Sequence, residues 1–236
     1  MKLTLPLLVC CVGISLATSA RAGVYLNFPS IVSNQSIPDG NPSGLQSTIN
    51  VASLGWGNAV GDVNVNLNIT GGYNGDLYAY LVHGSGFVVL LNRVGKTAAD
   101  SFGYASPGFN GVTLDDSAAV NIHTYYPPIG GFGGSLSSPL TGTWQPDGRN
   151  TDPATVTDGF SPNTSLANFN TLDYSGNWTL FFADMATGDT STLTSWSLDI
   201  EVVPEPITAA LLVFAGLGAA AQGVKIWRRR SLPRRS

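Results

Sequence analysis

The chain has 236 residues, with 11 Lys and Arg against 15 Asp and Glu, and a formal net charge of −4. Most basic side chains lie near the two ends, so residues 23–203 hold three basic against fourteen acidic side chains, a net charge of −11. A domain this acidic repels nucleic acid and anionic membrane surfaces, which excludes both as partners. Its length is enough for one sizeable core.

The first 22 residues have the features of a secretory signal peptide. Lys2 supplies a charged start, residues 3–16 form an apolar stretch, and the Ala-Arg-Ala sequence at 20–22 has the small-x-small form that signal peptidase cleaves. The mature protein is therefore expected to be exported and to begin at Gly23. Both cysteines fall in the removed segment, so no disulfide, thiol nucleophile or cysteine metal site is expected in the mature protein.

Between the two ends, short apolar runs predict β-strands. Residues 62–69 alternate apolar and polar side chains, which is typical of a strand with one buried face, and residues 195–202 repeat this pattern. Three further apolar runs, bounded by turn residues, predict strands at 77–82, 87–91 and 178–182. Since no amphipathic helix is predicted there, we expect an all-β fold, a jelly-roll-like antiparallel β-sandwich over residues 23–202.

Residues 203–236 combine three features of a membrane-linked sorting signal. The motif Val203-Pro204-Glu205-Pro206 precedes an apolar run at 207–224, which as a helix would span about 27 Å, enough for a thin bilayer. Arg228, Arg229 and Arg230 follow, and the positive-inside rule keeps them in the cytoplasm. The arrangement resembles the PEP-CTERM sorting signal of Gram-negative bacteria. That resemblance implies a transmembrane helix before processing, and an exosortase that cuts near the motif and releases or re-anchors the protein at the cell surface.

A second resemblance is carried by several motifs of the domain itself. They are YNGDL at 73–77, FNGVTLDD at 109–116, LANFN at 166–170, GNWTLFFAD at 176–184 and LTSWSL at 193–198. Together they resemble the P domain (P/Homo B domain) that follows the catalytic domain in proprotein convertases and many bacterial proteases. The resemblance covers residues 37–202 and implies a jelly-roll-like β-sandwich. Ser191, where the family usually has Gly, and an expanded Gly-rich loop near Pro127 depart from the family pattern.

No catalytic residues are predicted. A Ser-His-Asp mechanism needs a nucleophile held against a histidine base, and the chain has only His83 and His123. His83 precedes Ser85 in a tight Gly-rich turn, where such neighbours point apart, so we expect it to be a surface turn residue. No Gly-x-Ser-x-Gly elbow is present. We therefore expect a non-enzyme, and a label of serine-type endopeptidase would describe the usual neighbours of a P domain.

Calcium is the predicted small ligand, because thirteen of the fourteen acids in residues 23–203 are Asp and hard cations bind carboxylate oxygens. The resemblance to the P domain places Asp76, Asp184 and Asp189 in suitable turns, and Asp115 and Asp116 are further candidates. The alternative is that these aspartates cap turns through backbone N–H groups. The aspartate of the Pro-Asp-Gly turn at 146–148 is expected to take no part in metal binding.

Exopolysaccharide is the second predicted ligand, because sugar rings stack on exposed aromatic faces. Trp56, Tyr125, Tyr126 and Trp144 lie in predicted loops and are the candidate stacking residues. The alternative is that these side chains cover the core, as aromatic residues of sandwiches commonly do.

Two functions therefore stay open. The first is a non-catalytic surface or extracellular-matrix protein that uses the sandwich for adhesion or exopolysaccharide binding. The second is an accessory module that docks to or stabilises a separate secreted serine protease, as P domains do within one chain. The lack of a catalytic region in the sequence favours the first, and both place the protein in the cell envelope or outside the cell.

Overall fold

The computed structural model describes residues 23–30, 33–55, 59–126 and 136–203. The predicted signal peptide, Trp56, and the sorting signal from Pro204 onward, with its apolar run and arginines, lie outside the described residues. Within the described residues, no helix is long and apolar enough to cross a membrane.

The described residues form ten β-strands and three short 3-10 helices, so the prediction of an all-β fold is confirmed. The strands are β1 Val24–Pro29, β2 Gln35–Ile37, β3 Asn41–Val51, β4 Ala59–Gly71, β5 Leu77–His83, β6 Gly86–Asn92, β7 Gly108–Leu114, β8 Leu140–Trp144, β9 Gly176–Asp184 and β10 Ser191–Val203. The 3-10 helices are Asn74–Asp76, Ile122–Thr124 and Leu166–Phe169.

The strands form two sheets. Sheet A has the order β1-β10-β4-β7-β8, with β2 also paired to β10, and sheet B has the order β3-β9-β5-β6. The described strand pairs are antiparallel as predicted, except that β7 and β8 are parallel. The long connection between β7 and β8 permits this pairing, since parallel neighbours need a crossover of a dozen or more residues. The finer expectation of jelly-roll connections stays a prediction.

One hydrophobic core lies between the two sheets. Strand β4 turns its apolar side chains inward, and β10 does the same beside it, so the strands predicted from alternation are confirmed. The inward residues of these two strands are Val63, Val65, Leu67, Ile69, Trp196, Leu198, Ile200 and Val202. The indole N–H of Trp196 donates to the Ser47 hydroxyl of β3 at 2.9 Å. This bond satisfies a buried donor and links the two sheets.

The three basic side chains of residues 23–203 all point into the protein. Arg93, Lys96 and Arg149 are each less than a tenth exposed. The Lys96 ammonium donates to the carbonyls of Pro153 and Ala154 at 3.0 and 2.6 Å. The internal stretches that the structure does not describe contain no charged residue. The charged side chains that reach the surface of this domain are therefore acidic.

Candidate functional site

Four aromatic side chains lie on the outer side of sheet B and do not belong to the core. They are Tyr78, Tyr80, Phe87 and Phe181, and we call them the aromatic face. In strand β5, Leu77, Ala79 and Leu81 are fully buried between the sheets, whereas Tyr78, Tyr80 and Val82 alternate with them and are half-buried. Because successive side chains of a strand point to opposite sides, the two tyrosines of β5 project outward.

Tyr80 stands at the centre of the aromatic face. Its ring lies nearly parallel to that of Phe181, with centroids 4.7 Å apart and an angle of 17°. The rings of Phe87 and Tyr78 lie 5.4 and 5.9 Å from it. Phe181 is 8% exposed and the other three are half-buried. The rings therefore pack against one another, and three of the four remain partly exposed to solvent.

The rest of this side of sheet B is neutral and polar. Thr48 and Thr179 share a hydrogen bond of 2.9 Å between their hydroxyls, and the Asn50 amide donates to the Asn177 side chain at 2.6 Å. The four strands of sheet B are fully described, and their only ionisable residues other than tyrosine are a histidine and an aspartate that are both buried. The outer side of sheet B thus carries no charge, in contrast to the acidic surface elsewhere.

The structure brings three of the four predicted stacking residues together. Tyr125 lies 6.0 Å from Trp144 and 4.5 Å from Tyr104, which also lies 6.1 Å from Tyr126. Tyr125 is 7% exposed and its hydroxyl accepts from the Asn74 amide at 3.2 Å. Burial raises the pKa of Tyr125 to about 12. Tyr125 is thus part of the core, with Tyr126 and Trp144 packed against that core.

Four aspartates meet at one end of the sandwich, and we call them the acidic edge. They are Asp39 in the turn before β3, Asp76 before β5, Asp184 at the end of β9 and Asp189 before β10. Burial raises the pKa of Asp76 to about 6, against the opposing effect of Arg93, and the charges of the other three add to the rise. Burial, opposed by a hydrogen bond from the Ala186 N–H, also raises the pKa of Asp184.

Arg93 is an internal cation at the acidic edge. Its guanidinium lies 3.3 Å from the Asp76 carboxylate and donates to the carbonyls of Gly75 and Ser101. Asp184 is fully buried, and its Oδ1 accepts from the Ala186 N–H at 3.2 Å. Its Oδ2 has no hydrogen-bond partner in the described structure. Two buried carboxylates thus share the protein interior with one arginine.

Asp115 and Asp116 lie away from the acidic edge, at the end of β7. Asp115 accepts from the Ser117 N–H at 2.7 Å. Asp116 accepts from the N–H groups of Leu166 and Ala167 at 3.1 and 2.8 Å. These contacts are those of turn and helix caps. Among the residues that the structure describes, no three His, Cys, Asp or Glu side chains are grouped so that they could hold a metal ion.

The two histidines are structural, and the expectation of a surface position for His83 is wrong. The His83 ring stacks on Trp178 at 4.0 Å, and its two nitrogens lie 2.9 and 2.5 Å from the carbonyl oxygens of Asn177 and Asp173. His83 is buried because it is the last residue of β5, on the buried side of that strand, where β5 pairs with the first half of β9. No serine or threonine hydroxyl of the described chain is hydrogen-bonded to its ring.

His123 belongs to a buried ion network that the sequence does not reveal. Its Nδ1 lies 2.7 Å from Asp147, and the same carboxylate lies 3.1 Å from Arg149. Asp147 is fully buried although it belongs to a Pro-Asp-Gly turn. Two of its partners, His123 and Asn92, come from segments that are distant in sequence, so the composition of the turn does not indicate them.

A polar groove of about 320 Å³ lies near Asp116 and the segment 162–165. Its polar side chains on Asn121, Gln145 and Thr164 each donate to a backbone carbonyl at 2.6 to 3.0 Å. The groove therefore has a volume that suits a ligand, but these polar groups are already bonded within the protein.

Comparison with known proteins gives only remote matches. No protein-family model matches the chain, and no curated protein matches it. A serine protease of Aeromonas sobria in complex with its chaperone ORF2 aligns with a TM-score of 0.39 at 16% identity, over 77% of this chain and 27% of that chain. A second structure, of the serine protease of Aeromonas sobria, aligns with a TM-score of 0.38 at 15% identity, over 76% of this chain and 26% of that chain. The chain thus spans about a quarter of the length of these proteases, and at such TM-scores the likeness does not bear on function.

Proposed function

We propose that this chain is a non-catalytic module that acts outside the cell and docks a protein partner through the aromatic face. The observation that carries the proposal is an uncharged aromatic patch on a domain whose charged surface residues are acidic. Tyrosine and phenylalanine are enriched in the buried centres of protein interfaces, where charged residues are scarce. Tyrosine also adds contact area at a low cost in side-chain entropy.

The packing of the rings favours a protein over a sugar as the partner. A sugar ring needs an open aromatic face on which to stack, whereas Tyr80 is stacked on Phe181 and flanked by two further rings. Closely packed, partly exposed rings that carry hydroxyls suit the mixed apolar and hydrogen-bonding contacts of a protein interface. The hydroxyls of Tyr78 and Tyr80 have no hydrogen-bond partner within the described residues and are free to bond a partner.

The partner that we propose is a separate secreted serine protease. The support is the sequence resemblance of residues 37–202 to the P domain, whose role in the convertases is to stabilise a protease domain. The acidic surface of the rest of the domain favours a partner with a net positive charge, which would make association faster at low salt.

Exopolysaccharide binding is the second candidate function. It is supported by two pairs of polar side chains on the same side of sheet B as the aromatic face. These are the amides of Asn50 and Asn177 and the hydroxyls of Thr48 and Thr179. Such neutral polar groups bond sugar hydroxyls, and a face without charge suits a neutral polymer.

The docking proposal predicts that Tyr80→Ala weakens capture of a co-secreted serine protease at least tenfold, because a central aromatic anchor contributes about 2 kcal/mol or more. The measurement is surface plasmon resonance of purified protein, with isolated exopolysaccharide as the second analyte. Phe102→Ala is the matched control, since Phe102 is 66% exposed in a loop outside the aromatic face. Unchanged protease capture by Tyr80→Ala would contradict the proposal. Loss of polysaccharide binding alone would favour the second candidate.

We further propose that the protein reaches its partner by the sorting route that its two ends predict. Signal peptidase would remove residues 1–22, and an exosortase would process the chain near Val203-Pro204-Glu205-Pro206. Replacing Pro204 and Glu205 should then leave export intact but trap a membrane-bound form. Mass spectrometry of the surface protein tests this, and recovery of chains that still carry Arg228 to Arg230 would leave only a plain membrane anchor.

A further inference from the structure

Strand β3 lies at one edge of sheet B, and its outer side is open. It pairs with β9 in an unbroken register from Leu45, opposite Phe182, to Val51, opposite Gly176. No hydrogen bond joins the backbone of residues 45–51 to any described residue outside β9. Alternate residues of an edge strand direct both N–H and C=O away from the sheet, so this edge presents a row of free backbone donors and acceptors.

The other sheet edges of the described structure are protected against the addition of a strand. Strand β6 is covered, because two N–H groups of the segment 147–148 donate to its carbonyls at 2.9 and 3.0 Å. Strand β8 has five residues and a register shift against β7, and β1 ends at Pro29 and pairs alongside two acidic residues of β10. Short strands, bulges, prolines and charges are the devices that block edge pairing in natural sheets. Residues 45–51 contain no proline, glycine or charged residue.

The exposed side chains of β3 are neutral and complementary to themselves. Gln46, Thr48 and Asn50 lie on the outer side of sheet B, while Ile49 and Val51 are buried in the core. If two β3 strands pair antiparallel about Thr48, Gln46 of each copy lies opposite Asn50 of the other. Amides both donate and accept, so these side chains can bond across the pair, and the two Thr48 side chains meet on the axis.

We propose that two copies of this chain associate through β3, so that their two four-stranded B sheets join into one continuous sheet. A two-fold interface requires each residue to meet its counterpart reciprocally, and the row of Gln46, Thr48 and Asn50 meets this requirement. Residues 23–203 carry a net charge of −11, so two copies repel each other. Strand β3 adds no charge to the contact, and pairing there costs the least electrostatic free energy.

This association leaves the aromatic face open. The two-fold axis stands perpendicular to the joined sheet, so the aromatic faces of both copies point to the same side. Five strand spacings separate the two copies of β5, which is about 24 Å. The dimer therefore presents two aromatic faces in one direction, and its formation does not depend on the docking function proposed for them.

Site-specific cross-linking tests the pairing. Cys10 and Cys11 are the natural cysteines of the chain, and both are replaced by serine in the background used for the test. Thr48→Cys should then give a covalent dimer with a short thiol-specific cross-linker, because position 48 lies about 5 Å from its counterpart across the axis. Thr143→Cys is the matched control, since Thr143 is an exposed threonine on β8, an edge strand of sheet A. It should give no dimer.

Sedimentation velocity measures the association without a cross-linker. The wild-type protein should form a concentration-dependent dimer, and Thr48→Lys should weaken it at least about tenfold, because two like charges then meet on the axis. Thr143→Lys changes the net charge equally and should leave the dimer intact. A monomeric wild-type protein, equal cross-linking at positions 48 and 143, or equal loss of the dimer in both lysine variants would overturn the proposal.

Discussion

Replacing Asp147 with alanine is expected to lower the free energy of unfolding by about 3 to 5 kcal/mol. The carboxylate is fully buried and bonds His123 and Arg149, and its Oδ2 also accepts from the Asn92 N–H. Its removal leaves a buried guanidinium without its counter-charge, and desolvation of that charge is then uncompensated. Urea denaturation at neutral pH measures the effect.

Asp158→Ala is the matched control for this prediction. Asp158 is exposed, and its replacement should change the free energy of unfolding by no more than about 0.5 kcal/mol. A loss below about 1 kcal/mol in Asp147→Ala would contradict the view that the network of Asp147, His123 and Arg149 stabilises the folded protein.

The second large effect is a fall in stability as the pH rises, caused by Asp76. Burial raises the pKa of this carboxyl from 3.8 to about 6 in the folded protein. Its stabilising contribution is therefore fully present below about pH 4 and is lost as the pH rises through 6. The shift corresponds to a contribution on the order of 2 to 3 kcal/mol between pH 4 and 7. Urea denaturation in chelator across this range measures it.

Asp76→Asn should remove that share of the pH dependence, because asparagine mimics the neutral acid and still accepts from Arg93. Asp158→Asn should leave the pH dependence as in the wild type. If Asp76→Asn instead removes a rise in stability between pH 4 and 7, the ion pair with Arg93 dominates over burial and the predicted direction is wrong.

The strands that the sequence predicts correctly are those with clean periodicity or with a compact apolar run bounded by turn residues. Strands β4 and β10 each have one side that faces solvent and one side that is buried, so apolar and polar residues alternate along their sequences. Strand β3 is not predicted, because Pro42, Gly44 and several polar residues resemble a loop. Its position is set by pairing with β9 along most of its length, which is a tertiary contact that local composition does not report.

The aromatic face was missed for a related reason. In β5, aliphatic residues face the core and Tyr78 and Tyr80 face outward, so both sides of the strand read as apolar. The alternation of aliphatic and aromatic residues in β5 was the signal that could have separated the two sides. The stacking of Tyr80 on Phe181 could not be predicted, since these residues are brought together only by the pairing of β5 with β9.

The acidic edge was predicted in part. The resemblance to the P domain points to Asp76, Asp184 and Asp189, and in the structure the charges of the last two act on Asp76. Asp39 was missed because it lies in a short turn without a motif. Which carboxylate is paired and which is not depends on Arg93, and the sequence does not indicate that this arginine is buried.

Docking through the aromatic face is tested most directly by photo-crosslinking in the organism that makes the protein. A photoreactive phenylalanine analogue replaces Tyr80 in one strain and Tyr25 in another, since Tyr25 is 62% exposed on β1 of sheet A. Our proposal predicts a covalent adduct with a secreted serine protease from position 80 and none from position 25. Equal adducts from both positions, or only polysaccharide attached at position 80, would contradict it.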